Sequence, residues 1–399
     1  MSPVQRLKTV LGILMCVAMV GCGAQEQEAG RLWYVNKDVS AISDGLSWES
    51  AFTHPQDALD AARAGDRVWV AAGSYTLKRP EDKVVLRLRE GVTVLGGFAG
   101  NESLENRRDP QINITVLDGE SRAIHVVVGA DEVHLDGFTI TGGNANGLRE
   151  ESTGGGMFMK SSSFTVQRCD FVNNSAGLMG GGLYNEQSSP TLIDCVFREN
   201  SAPYGGAIGN YSASATVVNT KFTRNTSSQN GGAVSNYFSS PEFINCAFSG
   251  NRTTFSGGAV FNYNGEQTFT NCTFTGNRSA QKGGGIGSLN SELKLTNCIL
   301  WKNSSPEHRE ISAYESSTTV IYSNVDGGYQ GTGNDDCCPG FVKDGSWDED
   351  NWVEGDYKLT DGSPCVDSGT DEGAPDFDME WEPRPQAQSH DKGAYEYRP

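Results

Sequence analysis

The chain is poor in histidine and in basic side chains. Its 399 residues contain 5 His and 31 Lys plus Arg, against 50 Asp plus Glu, which gives a formal charge of −19. Proteins that bind nucleic acid neutralise phosphates with a basic surface, so this balance predicts that the protein binds no nucleic acid. Anionic membrane headgroups are disfavoured as partners for the same reason.

Long hydrophobic runs are also scarce. The one apolar stretch, from Val10 to Gly21, follows Arg6 and Lys8 and is too short to span a bilayer as a mature helix. It predicts a signal peptide over residues 1–21, and we expect no transmembrane segment in the mature chain. The end of this stretch, Met19-Val20-Gly21-Cys22, resembles the bacterial lipoprotein signal. That resemblance implies a lipid anchor on Cys22 and an outer-membrane or cell-surface lipoprotein, with residues 22–31 as a polar tether. The alternative is a secreted protein with a free Cys22.

An internal repeat of about 26 residues dominates the chain. Four columns share the same spacings of 26, 25, 26, 26 and 26 residues. The first glycines of the doublets are Gly154, Gly180, Gly205, Gly231, Gly257 and Gly283. The asparagines are Asn174, Asn200, Asn225, Asn251, Asn277 and Asn303, and the aromatic column is Phe171, Phe197, Phe222, Phe248 and Phe274, ending in Leu300. The fourth column is Cys169, Cys195, Thr220, Cys246, Cys272 and Cys298.

Each repeat unit contains short β-rich runs and no helical period, so it predicts one coil of a parallel β-helix with three strands and three bends. Coils stack about 4.8 Å apart, so each column becomes a ladder of identical side chains. We expect the Phe column to fill the interior, the Asn column to satisfy buried backbone groups, and the glycines to supply positive φ. The predicted organisation is an N-terminal cap over 32–65, a β-helix over 66–325 with regular coils over 154–303, and a C-terminal cap over 326–399.

The repeats resemble a known family. Gly205-Gly206-Ala207-Ile208 and Gly231-Gly232-Ala233-Val234, alternating with Phe197-Arg198-Glu199-Asn200, look like the repeats of chlamydial polymorphic outer-membrane proteins. More widely, the chain resembles right-handed parallel β-helix repeat proteins of the pectate-lyase-like superfamily. This resemblance implies an all-β, right-handed solenoid.

The sequences at both ends of the chain predict segments that cover the ends of the coil stack. Thr53 and Gln56 form a capping-box pattern, with Pro55 in the first turn and Gly65 able to close the helix, so one short helix is expected to cover the N-terminal end of the stack. At the other end, residues 304–399 carry 22 acidic and 6 basic side chains. Most of the negative charge therefore belongs to an irregular C-terminal cap.

The cysteines support different hypotheses. The column thiols are best interpreted as a stack of small buried hydrophobic groups, because side-by-side Cβ vectors give poor disulfide torsions. Cys337, Cys338 and Cys365 lie in the cap of an exported chain, so a bridge from one of the vicinal pair to Cys365 is a candidate disulfide. We expect no cofactor; the alternative is a calcium ion at Asp376 and Asp378, and a solvated acidic surface is the preferred interpretation.

Three tyrosines share a further column, at Tyr211, Tyr237 and Tyr263, each after an asparagine. Successive side chains of a strand lie on opposite faces of the sheet. If each asparagine points inward, the tyrosine rings point outward, where they could stack against sugars. The alternative is a self-stacking ladder that shields the sheet.

The sequence gives little support for catalysis. Superfamily hydrolases carry paired aspartates with a Gly-His-Gly, and lyases carry calcium-binding acids beside an Arg or Lys base. Residues 154–303 contain no His, and their acidic residues fall in scattered columns. We therefore predict a monomeric, non-catalytic, adhesin-like or carbohydrate-binding protein whose partner is a carbohydrate or another cell-surface component. The alternative is a polysaccharide lyase or hydrolase that acts in a groove of the β-helix.

Overall fold

The repeat folds into stacked coils, and the chain forms a right-handed parallel β-helix. The computed structural model describes residues 30–40 and 43–398. Equivalent strands of successive coils pair in parallel and in register, as Phe197 does with Phe222. Regular coils contain four strands and not the predicted three, because the short segment between the Asn column and the Gly doublet also pairs, for example Arg252 with Arg278.

The strands form four parallel sheets that the chain visits in the order sheet 4, sheet 1, sheet 2, sheet 3. Sheet 1 contains Leu32–Val35, Arg67–Ala71, Thr93–Phe98, His134–Asp136, Thr165–Gln167, Thr191–Ile193, Thr216–Val218, Glu242–Ile244, Glu266–Thr270, Glu292–Thr296 and Ser317–Ile321. Sheet 2 contains Gly73–Tyr75, Thr115–Asp118, Thr139–Thr141, Asp170–Val172, Val196–Arg198, Lys221–Thr223, Ala247–Ser249, Thr273–Thr275, Ile299–Trp301 and Asn324–Val325. Sheet 3 contains Asn144–Ala145, Ser175–Ala176, Ser201–Tyr204, Thr226–Asn230, Arg252–Thr253 and Arg278–Ser279. Sheet 4 contains Val84–Arg87, His125–Val128, Met157–Lys160, Leu183–Glu186, Ile208–Tyr211, Val234–Tyr237, Val260–Tyr263, Ile286–Leu289 and Ile311–Tyr314.

Each corner of a regular coil contains a residue with positive φ. The doublet glycines turn sheet 3 into sheet 4, with Gly231 at φ 66°. A Cβ at Gly231 would lie 2.0 Å from the carbonyl oxygen of Val234, so this corner excludes larger residues. Most of the other corners use non-glycine residues in the left-handed region, such as Asp194 between sheets 1 and 2, although Gly250 and Gly276 lie at corners between sheets 2 and 3. Four such bends close each coil around a narrow core.

The Phe column fills this core. Phe171, Phe197, Phe222, Phe248 and Phe274 are fully buried, and successive ring centroids lie 4.5, 5.2, 4.6 and 4.6 Å apart in stacked pairs. Buried thiols of the Cys column lie beside them and form no disulfides. Burial raises the pKa of Cys169 to about 12, so this thiol is held in its neutral form.

The Asn column forms a continuous hydrogen-bonded ladder. Asn225 Nδ2 donates to Oδ1 of Asn251 at 3.0 Å and to the carbonyl of Phe197 at 2.9 Å. Its own Oδ1 accepts from the backbone N–H and from Nδ2 of Asn200, at 3.1 and 3.0 Å. Each amide thus links its coil to the preceding coil and to the following one. A second inner ladder runs through Asn185, Asn210, Asn236 and Asn262, with Nδ2 to Oδ1 distances of 2.8, 2.8 and 2.9 Å.

The N-terminal end of the stack is covered by a helix, α1, over Pro55–Ala61, which buries Pro55, Ala58 and Leu59. The expected Thr53–Gln56 capping box is wrong: His54 is the N-cap, and its Nδ1 accepts from the backbone N–H of Gln56 at 3.1 Å. Nor does Gly65 end the helix, since the C-cap is Ala62. Sheet 1 begins before residue 66, because the strand Leu32–Val35 pairs with Arg67–Ala71.

The acidic C-terminal segment extends along the outside of sheet 2 as well as covering the last coil. It contains two small antiparallel pairs, Phe341–Lys343 with Asp356–Leu359 and Ser346–Asp348 with Asn351–Val353. Asn271 Nδ2 donates to the carbonyl of Asp391 at 2.9 Å, and the N–H of Ala394 donates to Thr273 Oγ1 at 3.0 Å. Within the described residues, every helix is too short or too polar to cross a membrane.

Candidate functional site

A groove lies over the part of sheet 2 that the C-terminal segment leaves uncovered. One wall is the loop that includes Arg108 and Pro110, and the other is the C-terminal segment at Met379 and Trp381. The floor comes from sheet 2 and from the corner between sheets 1 and 2. The groove has a volume of about 830 Å³ and is partly open to solvent.

A buried ion cluster supports the floor of the groove. Asp136 is 1% exposed, and both Arg108 Nη2 and Arg168 Nη2 donate to its Oδ2, while Arg168 Nε donates to Oδ1 at 2.9 Å. Burial alone would raise the pKa of Asp136, but the hydrogen bonds and charges of the two arginines outweigh it and hold the pKa below its usual value. One carboxylate between two guanidinium groups leaves a net positive charge. The side chain of Arg168 is 46% exposed, so this charge reaches the groove.

Asp170 and Asp194 on the floor of the groove and Asp109 on its wall are further carboxylates. Asp194 occupies the corner of the coil after Arg168, and its Oδ1 accepts from the indole Nε1 of Trp381 at 2.8 Å. Burial raises the pKa of Asp194, and the hydrogen bond from Trp381 opposes that rise. Asp170 lies on the floor strand, where desolvation by the surrounding protein raises the pKa of its carboxyl. Trp381 itself has a φ of 66°, an uncommon conformation for an aromatic residue.

Lys221 adds a third cation to the groove, after Arg108 and Arg168. Lys221 lies in the same sheet 2 column as Asp170, two coils further on. Its Nζ is 5.9 Å from the ring centroid of Tyr395, a residue of the C-terminal segment. The groove is thus lined by three cations (Arg108, Arg168 and Lys221), three carboxylates (Asp109, Asp170 and Asp194) and the indole of Trp381, drawn from three segments of the chain.

The predicted tyrosine column lies on a different face. Asn210, Asn236 and Asn262 are fully buried. Tyr211 is 42% exposed, whereas Tyr237 and Tyr263 are half-buried, with ring centroids 5.6 Å apart. These rings do not form a uniform outward row, because Tyr237 also packs against Tyr204 and Phe261.

The candidate disulfide in the C-terminal segment is not formed. Cys337 and Cys338 are exposed free thiols, and Cys365 is a buried one. Cys365 packs in an apolar cluster with Ile299 and Leu359, so its thiol lies in a different environment from the vicinal pair. Burial raises the pKa of Cys365 to about 12.

Asp378, one of the two residues of the calcium alternative, accepts hydrogen bonds from the backbone. Asp378 Oδ1 accepts from the backbone N–H groups of Glu380 and Glu382, and Oδ2 accepts from that of Glu396, at 2.8 to 3.1 Å. This carboxylate therefore organises the local turn. Across residues 30–40 and 43–398, no group of three or more His, Cys, Asp or Glu side chains is arranged to hold a metal ion. The predicted lipidation site, Cys22, lies outside the described residues.

Two family models match parts of the chain. Residues 51–230 match a family described as a protein of unknown function (DUF1565), and residues 271–288 match the Chlamydia polymorphic membrane protein repeat. The chain is a right-handed parallel β-helix repeat protein. The predicted fold and repeat type are thereby confirmed. No curated protein matches this β-helix chain.

The comparison with solved structures found matches to two lyases. Pectate lyase Pel9A is 16% identical, with a TM-score of 0.51, and the match covers 92% of this chain and 96% of that one. A rhamnogalacturonan lyase is 11% identical, with a TM-score of 0.46, over 83% of this chain and 97% of that one. At these identities the similarity to the pectate lyase establishes a shared fold alone.

Sequence reasoning missed the groove. It placed Asp170 and Asp194 in scattered columns, but the corner and the adjoining strand bring them together with Arg168 and Lys221. The signal that could have revealed this was the position after the sheet 1 strand in each repeat. That position holds Arg168 and Asp194 in two coils and asparagine in the next ones.

Proposed function

We propose that this protein is an exported, non-catalytic carbohydrate-binding protein, adhesin-like in role, and that its groove binds a saccharide containing uronate units. One observation carries the proposal: Arg168, fixed by buried Asp136, presents its guanidinium in an open groove that also contains Lys221 and Trp381.

The chemistry of the groove suits an acidic sugar chain. A guanidinium has five donors, so the bonds from Arg168 to Asp136 leave others for a ligand carboxylate. Asp170 and Asp194 can accept hydrogen bonds from sugar hydroxyls, and the indole of Trp381 offers an apolar surface to a sugar ring. The fixed position of Arg168 reduces the entropy lost on binding.

The proposal places the protein outside the cytoplasm. The signal-like residues 1–21 and the lipoprotein-type end at Cys22 support an outer-membrane or cell-surface location. The match to the chlamydial membrane-protein repeat is consistent with surface exposure. Replacement Cys22→Ser should release the protein from membranes if the lipid anchor exists, and continued membrane association would refute the anchor.

A second candidate is a polysaccharide lyase or hydrolase that uses the same groove. Two carboxylates with raised pKa, Asp170 and Asp194, lie there with Lys221, and such groups serve in general acid–base catalysis. Catalysis would require these groups to converge on one bond of the bound chain.

Retention and product release on immobilised acidic polysaccharides separate these functions. The wild-type protein is expected to be retained without releasing product, and Lys221→Gln should weaken retention about tenfold or more. Lys221 is exposed and supports no buried charge, so this variant should fold normally. Arg224→Gln, which removes an exposed ion pair with Glu199 outside the groove, is the matched control and should bind like wild type. Unsaturated or reducing sugar products would favour the enzyme, and no retention would refute both candidates.

A further inference from the structure

An exposed aromatic residue occupies a corner that normally excludes such side chains. The corners between sheets 4 and 1 have φ near 50°, and the residues there are Ser161, Gln187, Ser212, Phe238, Asn264, Asn290 and Glu315. Phe238 is the aromatic exception, with a φ of 52°, and it is 50% exposed. The left-handed region is unfavourable for a bulky residue, and the exposed ring recovers little from burial. An outlier of this kind is a reason to look for a function.

Phe238 joins two tyrosines into one surface. Its ring centroid lies 5.9 Å from that of Tyr211 and 5.5 Å from that of Tyr263, with interplanar angles of 75° and 81°. The ring therefore fits edge-to-face between tyrosines that are two coils apart. Tyr237 packs behind them, 5.6 Å from Tyr263. We call Tyr211, Phe238 and Tyr263 the aromatic platform.

The surroundings of the platform are polar, and the charged side chains next to it are acidic: Glu186 is the register partner of Tyr211, and exposed Glu266 begins the strand that follows Tyr263. Its strand column continues from Tyr263 to Leu289, and its corner column runs from Ser212 through Asn264 to Asn290. The nearest acidic group along the strand column, Glu186, is paired with Lys160 at 3.1 Å. Rings flanked by hydroxyl and amide groups match a ligand that has flat C–H faces and many hydroxyls.

We propose that the aromatic platform is a second carbohydrate site, distinct from the groove, which binds neutral polysaccharides by stacking sugar rings on Tyr211, Phe238 and Tyr263. The neutrality of the ligand follows from the charges: the groove offers Arg168 and Lys221 to a carboxylate, whereas the platform offers rings, amides and hydroxyls. The carboxylates of an acidic polysaccharide would therefore add no favourable contact at the platform. The site spans three consecutive coils and so lies along the axis of the β-helix.

The variant Phe238→Asn separates a binding role from a structural one. Asparagine tolerates the left-handed conformation and occupies the same corner at Asn264 and Asn290, so the variant should be at least as stable as wild type. Retention on immobilised neutral β-glucan and mannan should nevertheless fall about tenfold or more. Phe255→Ser removes another exposed ring, 42% exposed and outside the platform, and should leave retention unchanged.

Two further measurements complete this test. Lys221→Gln should leave retention on neutral polysaccharides unchanged, so failure of the groove and failure of the platform are distinguishable. The proposal is overturned if wild type is not retained by either neutral polysaccharide, or if Phe238→Asn is retained equally well. It is also overturned if wild type is a dimer that Phe238→Asn converts to a monomer, because the platform would then be a contact between two copies.

Discussion

Removal of one rung from the Asn ladder should destabilise the coil stack strongly. In Asn225→Ala, the buried backbone N–H of Asn200 loses its acceptor, which costs about 1–3 kcal/mol. Asn200 Nδ2 and the carbonyl of Phe197 each lose one further bond, worth about 1 kcal/mol apiece. The expected loss in free energy of unfolding is therefore about 3–5 kcal/mol.

Urea unfolding followed by far-ultraviolet circular dichroism measures this loss. Because coils contact mainly their neighbours, the midpoint and the number of transitions should both be recorded. Asn101→Ala, which changes an exposed loop residue, is the control and should shift the midpoint little. A loss below about 1 kcal/mol for Asn225→Ala would refute the idea that the ladder stabilises the coils through buried hydrogen bonds.

Two further predictions concern the aromatic core and the residue that ends the Asn ladder. Phe222→Ala should cost about 3–5 kcal/mol in the same unfolding assay, because its ring stacks on Phe197 and Phe248; a loss under 1 kcal/mol would contradict the interlocked core. Glu310 ends the Asn ladder by accepting from the N–H and Nδ2 of Asn303 at 3.1 and 2.5 Å, and burial raises its pKa to about 8. In the unfolded chain the carboxyl of Glu310 would ionise at a lower pH than in the folded protein. The contribution of Glu310 to stability should therefore decline as pH rises from about 4.5 to about 8. The unfolding midpoint of Glu310→Gln, measured against wild type across this range, should lack that decline; identical pH profiles would contradict the assignment.

Columns of the repeat were enough to predict the solenoid, because a side chain that recurs at one position must stack on its own copy. The Phe stack and the Asn ladder both lie inside, as their residue types require. The fourth strand was missed because segments such as Arg252–Thr253 are two residues long and carry no hydrophobic alternation. The helix cap was missed because the imidazole of His54 takes the place of the usual hydroxyl.

The groove could not be predicted because its walls are remote in sequence from its floor. Trp381 bonds to Asp194 across 187 residues, and Arg108 reaches Asp136 from a loop. No periodicity indicates which coils the C-terminal segment covers and which it leaves open. The exposure of Phe238 was likewise hidden, since sequence alone does not show that its corner has a positive φ.

The most direct test of the proposed function is the retention of the purified chain on an immobilised polyuronate, with Lys221→Gln and Arg224→Gln run in parallel. We expect retention of wild type and of Arg224→Gln without released sugar, and about tenfold or greater weakening for Lys221→Gln. Equal retention of all three proteins, or the absence of retention altogether, would contradict carbohydrate binding in the groove.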